Sequence, residues 1–284
     1  MAYEAQRRYD LFISDIDGTL IHSDVQIPAH VIDEVQHARS HGMRVTLASG
    51  RNAAEVEWFS EQLGSTEPYI ALGGAYVGIP GGNQTLLYEP LPLDIVLQVL
   101  KTVRDAELSV MIEHPKIAYF EGDADFYNEL QSISVNELVN LQQAQPGPDD
   151  PPAKVVVVGD GTHLDELEQL LNQYADEIEY SRSLPFLVDI TRRGSNKGSA
   201  LRCICDHLGI PPDRVAVAGD GLNDRSMFTL AGFSVAMAGA SQGLIDVSDD
   251  VVPEGVEQGF LWALHRALGK PGDFDNEDSV GNAS

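Results

Sequence analysis

The sequence predicts an α/β fold: a core with a parallel sheet, interrupted by an inserted α+β segment. Three observations predict it. Short apolar runs ending in Gly, Ser or Asp alternate with amphipathic stretches up to residue 74, which is the spacing of βαβ units. The pattern changes between residues 77 and 190, and it resumes after Thr191. The length of 284 residues allows one large or two moderate domains, and a hydrophobic share of 43% suffices for a sizeable core.

The elements follow in order. Residues 11–16 read as a buried-type strand. Residues 28–41 read as a helix with Val31, Ile32, Val35 and Ala38 on one face and Pro28 near its start. A strand at 43–48, a helix at 52–63 and a strand at 69–72 come next, closed by Gly73-Gly74. Residues 76–88 are rich in Gly and Pro and predict a hairpin or linker. A helix at 93–106 precedes two short strands within 109–120 that turn at His114-Pro115. Residues 125–141 are helical or irregular, and 145–152, with four prolines and two aspartates, are a loop. A strand at 154–158, a helix at 163–175 and strand material at 178–190 complete the insert. The core resumes with a helix at 196–208, a strand at 214–218, a helix at 222–231, a strand at 233–237 and a last helix at 255–268. The expected division is a core of residues 1–76 and 191–270, an insert of 77–190, and an acidic tail of 271–284 whose composition is that of disorder.

Charge narrows the function classes. Lys plus Arg total 18 against 44 Asp plus Glu, a formal net charge of −26. Such a surface repels nucleic acid and anionic membranes. It is also the surface of proteins suited to a saline cytoplasm, where screening relieves self-repulsion. No apolar window reaches the length of a membrane span, and residues 1–10 lack the apolar stretch of a secretory signal, so a cytoplasmic location is expected. Only five residues are lysine, which makes each one informative. Cys203 and Cys205 lie two apart in a helical pattern and face different sides, so they read as structural thiols.

Four stretches carry chemistry. Asp15 and Asp17, followed by Gly18-Thr19-Leu20, end the first strand, where ligands bind in open α/β sheets. One carboxylate can attack an electrophile, and the other can protonate a leaving group and later activate water. Ser49-Gly50-Arg51 closes the second strand, where a hydroxyl and turn amides can hold phosphate oxygens. Lys197 opens a helix, a position the helix dipole disfavours for a cation. Its placement in a lysine-poor chain points to neutralising a phosphate or a carboxylate. Gly219-Asp220-Gly221-Leu222-Asn223-Asp224 supplies two carboxylates and an amide on one strand-to-helix turn, hard oxygen donors suited to Mg²⁺. The similar run Val155 to Gly161 lacks the Asn-Asp pair and reads as a strand and its turn. His37 and His41 stand at i, i+4, but no third zinc ligand is placed with them.

These four stretches, in this order and with this insert, resemble the haloacid dehalogenase-like (HAD) superfamily, in its Cof-type, IIB branch. The resemblance implies a Rossmann-like three-layer core with a cap over the active site. It implies that Asp15 is the nucleophile of an aspartyl-phosphate mechanism, Asp17 the general acid/base, and Lys197 the third-motif lysine. Thr19, Ser49, Gly50, Arg51 and Asn223 are the expected phosphate-binding residues. Asp15, Asp17 (also through its main-chain carbonyl), Asp220 and Asp224 are the expected Mg²⁺ ligands. Branch members commonly have Asn-Gly after the third strand, where this chain has Leu72-Gly73-Gly74. The implied activity is a phosphatase for a small phosphorylated metabolite, of the sugar phosphate or phosphoglycolate type. A phosphomutase and a non-catalytic phosphate-ligand binder are the alternatives. Arg182, His114 and Lys116 are picked by location as cap residues that set specificity.

Overall fold

The computed structural model describes residues 8–21, 26–81, 84–133, 138–141, 151–255 and 258–269. The expected tail at 271–284 and most of the loop at 145–152 lie outside them.

The chain opens with β1 (Leu11–Ser14), α1 (Ala29–Ser40), β2 (Arg44–Leu47), α2 (Ala53–Gln62) and β3 (Tyr69–Ala71). It continues with β4 (Tyr76–Gly78), β5 (Thr85–Tyr88), α3 (Leu93–Asp105), β6 (Ser109–Glu113), β7 (Ala118–Glu121), α4 (Ala124–Ile133) and β8 (Val139–Asn140). Then come β9 (Lys154–Val158), α5 (Gly161–Leu171), β10 (Ile178–Leu184) and β11 (Leu187–Arg192). The last part holds α6 (Lys197–Leu208), β12 (Val215–Gly219), α7 (Arg225–Phe228), β13 (Phe233–Ala236), α8 (Gln242–Ile245), β14 (Asp250–Val251) and α9 (Gly259–Ala267).

The core sheet is parallel, in the order β14-β13-β12-β1-β2. Alternation along its strands sends side chains to both faces. Phe12, Val45, Ala216 and Val235 pack with Val31 and Val35 of α1, Phe59 of α2 and Phe260 of α9. Leu11, Ile13, Val215 and Val217 pack on the other face with Leu201 and Ile204 of α6, Met227 of α7 and Leu244 of α8. Burial on both faces is why these strands read as unbroken apolar runs. The result is a three-layer α/β/α core. β3 joins its edge through a single parallel bridge, Ala48 to Ile70, and pairs antiparallel with β4, which pairs with β5.

A second, six-stranded sheet, β10-β11-β9-β6-β7-β8, belongs to the insert. Val110, Ile112, Val155, Val157, Val188 and Ile190 form one cluster with Ile95, Val99 and Val103 of α3 and Leu164 and Leu167 of α5. α3 and α5 cover one face of this sheet. The alternate residues, Met111, Glu113, Lys154 and Asp189, therefore lie on the other face. Val77, Leu86 and Leu87 pack with α6 in the core, while Leu91 is the first residue of the insert's own cluster. The two crossing segments are tied to each other by hydrogen bonds from Ser195 to Glu89 and from Arg192 to the Pro90 carbonyl.

Three local departures from expectation have physical causes. The helix expected at 222–231 is only α7, because its first turn tightens into a 3₁₀ turn at Leu222–Asp224. There the Asp224 carboxylate accepts hydrogen bonds from the Asp220 and Gly221 amides. α8 and β14 were not anticipated, being four and two residues long and too short to show a period. β8 likewise emerges from a stretch read as helical or irregular.

Candidate active site

The site forms where β1, β2 and β12 end side by side. Asp15 follows β1, its amide bonded to the Ala218 carbonyl at 2.9 Å, which locks the two motif-bearing turns in register. Lys197 is drawn under them from the start of α6. That start is fixed by a reciprocal cap: the Asn196 side chain accepts from the Ser199 amide, and the Ser199 hydroxyl accepts from the Asn196 amide. The Lys197 side chain is fully buried, with Nζ 2.5 Å from Asp15 Oδ1 and 2.5 Å from Asp224 Oδ1. Gly198 is required for this fit, since a β-carbon there would meet the Ser226 carbonyl at 2.5 Å.

Asp15, Asp220 and Asp224 each offer a carboxylate oxygen within 4.8 Å of one another. Three carboxylates around one ammonium leave an excess of negative charge in a buried place. Burial, and the neighbouring Asp224, push the Asp15 carboxyl up to about 8 against the pull of Lys197. Burial and Asp224 likewise raise Asp220. Lys197 is held charged above the ordinary lysine range by Asp15 and Asp224, which outweigh its own burial. A donor set of hard oxygens carrying surplus charge fits a divalent cation such as Mg²⁺. Gly18 keeps Asp220 in this set: its φ is +77°, and a β-carbon there would fall 2.1 Å from Asp220 Oδ2.

Asp17 is placed differently. Its carboxylate is not in the cluster but is gripped by Arg51, through Nε and Nη2, each at 2.8 Å. Arg51 is itself oriented by Glu55 at 3.7 Å and by the Phe59 ring, 5.5 Å below its guanidinium. Ser49 is buried, and its hydroxyl accepts the Arg51 amide. Asp15, Asp17, Ser49, Gly50, Arg51, Asp220 and Asn223 all line one cavity of about 540 Å³. Thr19 does not line it; it is buried, and its hydroxyl has no hydrogen-bond partner among the described residues.

The roof of that cavity comes from the face of the insert's sheet turned away from α3 and α5, through Met111, Glu113, Ala118 and Lys154, with Leu138 just before β8. Lys154 pairs with Asp189 at 2.8 Å and with Glu113 at 3.3 Å. Burial raises the Glu113 carboxyl against the pull of Lys154. Sequence reading missed Glu113 and Lys154. The available signal was a charge at the end of one mostly apolar strand, β6, and at the start of another, β9, positions that oppose each other once the two pair.

The residues picked by location for specificity lie elsewhere. Arg182 is spent on Asp165 and Glu168 of α5. His114 and Lys116 line a separate cavity of about 440 Å³ with Tyr76 and Tyr88. Asp160 caps α5, its side chain accepting from the Thr162 and His163 amides. The rings of His37 and His41 lie 4.3 Å apart, tilted by 50°, and among the described residues no acid or thiol joins them in a three-ligand group. Cys203 and Cys205 are both free thiols, and burial pushes Cys205 up to about 11, which keeps it unreactive.

Residues 12–264 match the haloacid dehalogenase-like hydrolase family. The chain belongs to that family. Among curated relatives it is 25% identical to the 5-amino-6-(5-phospho-D-ribitylamino)uracil phosphatase YitU of Bacillus subtilis, over 88% of this chain and 94% of that one. It is 24% identical to the phosphatase YwpJ of the same organism, over 91% and 99%. A haloacid dehalogenase-like hydrolase from Bacteroides thetaiotaomicron shares the fold with a TM-score of 0.79, at 24% identity over 91% of this chain and 99% of that one. The subclass IIB sugar phosphatase BT4131 does so with a TM-score of 0.77, at 21% identity over 92% and 99%. Within the family the chain is a phosphatase, a phosphoric monoester hydrolase. Among the described residues, no helix is long and apolar enough to cross a membrane.

Proposed function

We propose that the chain is a Mg²⁺-dependent phosphatase acting on a small phosphorylated metabolite in the cytoplasm, with Asp15 as nucleophile. The observation that carries this reading is the buried Lys197 ammonium bridging Asp15 and Asp224 beneath a cavity that also holds Asp17. The matched relatives named as phosphatases support it. The division into a core and a cap is part of the same reading, with the changeover near residue 90 on packing grounds.

Asp15 attacks phosphorus; its oxygen–phosphorus bond forms as the bond to the leaving oxygen breaks, giving an aspartyl-phosphate. Lys197 holds the other side of the Asp15 carboxylate and offsets the repulsion between two anions. When bound among Asp15, Asp220 and Asp224, Mg²⁺ supplies the remaining charge neutralisation for the phosphoryl oxygens. Ser49, the Gly50 turn and Asn223 line the place where those oxygens sit. Asp17, held at the cavity by the Arg51 fork, takes a proton from solvent on leaving that ion pair, gives it to the leaving oxygen and then takes one from the water that releases phosphate. The cap excludes bulk water during both steps.

Phosphate release from p-nitrophenyl phosphate and a panel of phosphorylated metabolites, with and without Mg²⁺, tests this. Asp15→Asn keeps Lys197 paired to Asp224 and is expected to stay folded with no turnover. Full Mg²⁺-dependent release by that variant would overturn the nucleophile assignment.

A further inference from the structure

The cations that line the cavity are already outnumbered by carboxylates. Arg51 serves Asp17 with two hydrogen bonds and faces Glu55 besides. Lys154 serves Asp189 and Glu113. Neither is left to receive a negative group on the part of the substrate that points away from the phosphoryl site. Glu113 is only 5% exposed, and its Oε2 is ion-paired with Lys154 at 3.3 Å but has no geometrically well-formed hydrogen bond among the described residues. It nonetheless borders the cavity, beside the apolar surface of Met111, Ala118 and Leu138. A buried carboxylate with an unmet acceptor oxygen on a cavity wall calls for a donor from a ligand.

We infer that the leaving group is an uncharged or cationic carbon skeleton bearing hydroxyl or amine donors, and that Glu113 selects it by accepting a hydrogen bond from it. This rests on the phosphatase reading of the same site. Lys154 and Asp189 are positioning residues, which hold the Glu113 carboxylate on the roof. A carboxylate or a second phosphate in that place faces Glu113 and Glu55, and the cations lining the cavity among the described residues, Arg51 and Lys154, are already paired with acids. Of the two substrate types the sequence suggested, the cavity therefore selects the sugar phosphate over the phosphoglycolate type. It also disfavours the bisphosphate that a mutase requires.

The test uses the whole chain with Mg²⁺ and matched pairs of phosphate esters that differ only in far-end charge. Glycerol 3-phosphate is set against 3-phosphoglycerate, and glucitol 6-phosphate against 6-phosphogluconate, with p-nitrophenyl phosphate as reference. The expected result is a kcat/KM for the preferred neutral ester at least about tenfold above its anionic counterpart, carried mainly in KM. Glu113→Gln, which keeps the shape and removes the charge, is expected to narrow that ratio about fivefold or more. Hydrolysis of p-nitrophenyl phosphate with no neutral ester preferred over its anionic partner overturns the inference and leaves the phosphatase reading standing. So does an unchanged ratio in a folded Glu113→Gln. No release from p-nitrophenyl phosphate instead removes the phosphatase reading itself. If the variant fails to fold, the wild-type ratios still decide the matter.

Discussion

Lys197 Nζ lies 2.5 Å from the Asp15 carboxylate although 182 residues separate them in the chain. The lysine is fully buried, so its removal strands Asp15 and Asp224 without their countercharge. Lys197→Met is expected to cost about 3–5 kcal/mol of stability in metal-free buffer, as the breaking of a buried ion pair does. Activity falls below detection. Chemical denaturation with and without Mg²⁺ checks this, and Mg²⁺ should return part of the lost stability. A variant as stable as wild type in the absence of metal would contradict the pairing.

Arg51 grips Asp17 with two parallel hydrogen bonds. A lysine keeps the charge but loses the fork. Arg51→Lys is expected to lower kcat by about 10- to 100-fold, the usual effect of a misaligned proton-transfer group, with a smaller change in KM. Steady-state kinetics settle it; a raised KM at unchanged kcat would make Arg51 a substrate binder instead of a residue that positions Asp17.

The Asp15 carboxyl is pushed from its ordinary value of 3.8 up to about 8 in the metal-free protein. A carboxyl raised on folding stabilises the native state below its unfolded pKa, and that contribution is lost as pH rises toward the folded pKa. Metal-free stability from this group therefore declines between about pH 4 and pH 8. Mg²⁺ competes with the proton, so its stabilising effect grows over the same range. Thermal unfolding at constant ionic strength, at pH 6 and at pH 8.5, with EDTA or with Mg²⁺, measures it. The Mg²⁺-induced rise in Tm should be larger at pH 8.5; equal rises at both would sink the prediction.

Gly18 approaches Asp220 so closely that any β-carbon displaces that carboxylate, and its φ of +77° adds backbone strain. Gly18→Ala is expected to cost about 1–2 kcal/mol. It should also raise the Mg²⁺ concentration needed for half-maximal activation several-fold, at a kcat regained when metal saturates. Mg²⁺ titration of activity provides the check, and an unaltered midpoint would argue that Asp220 does not depend on this approach.

Much of the fold was legible because its signals are local. Runs such as Leu11-Phe12-Ile13 and Val215–Gly219 are apolar throughout because both faces of a parallel sheet are covered, and the helices between them carry their own period. The four chemical motifs were legible for a related reason: strand-to-helix turns hold their donors within a few residues. Elements of two to four residues, such as α8 and β14, carry no period and became visible only through their partners.

What only the tertiary structure decided is which side chains share a space. Asp15, Asp17, Lys197, Asp220 and Asp224 were named from the sequence, but their separate partnerships were not. Asp17 turns to Arg51, while Asp15 and Asp224 close on Lys197. Thr19, from the same motif, stands outside the cavity wall. Nor did the sequence point to Glu113 and Lys154, because a charge in a strand becomes informative only when register and sheet packing show which face it takes and what lies opposite. Chemistry written in one turn can be read along the chain; the roof over it depends on how one sheet lies against another.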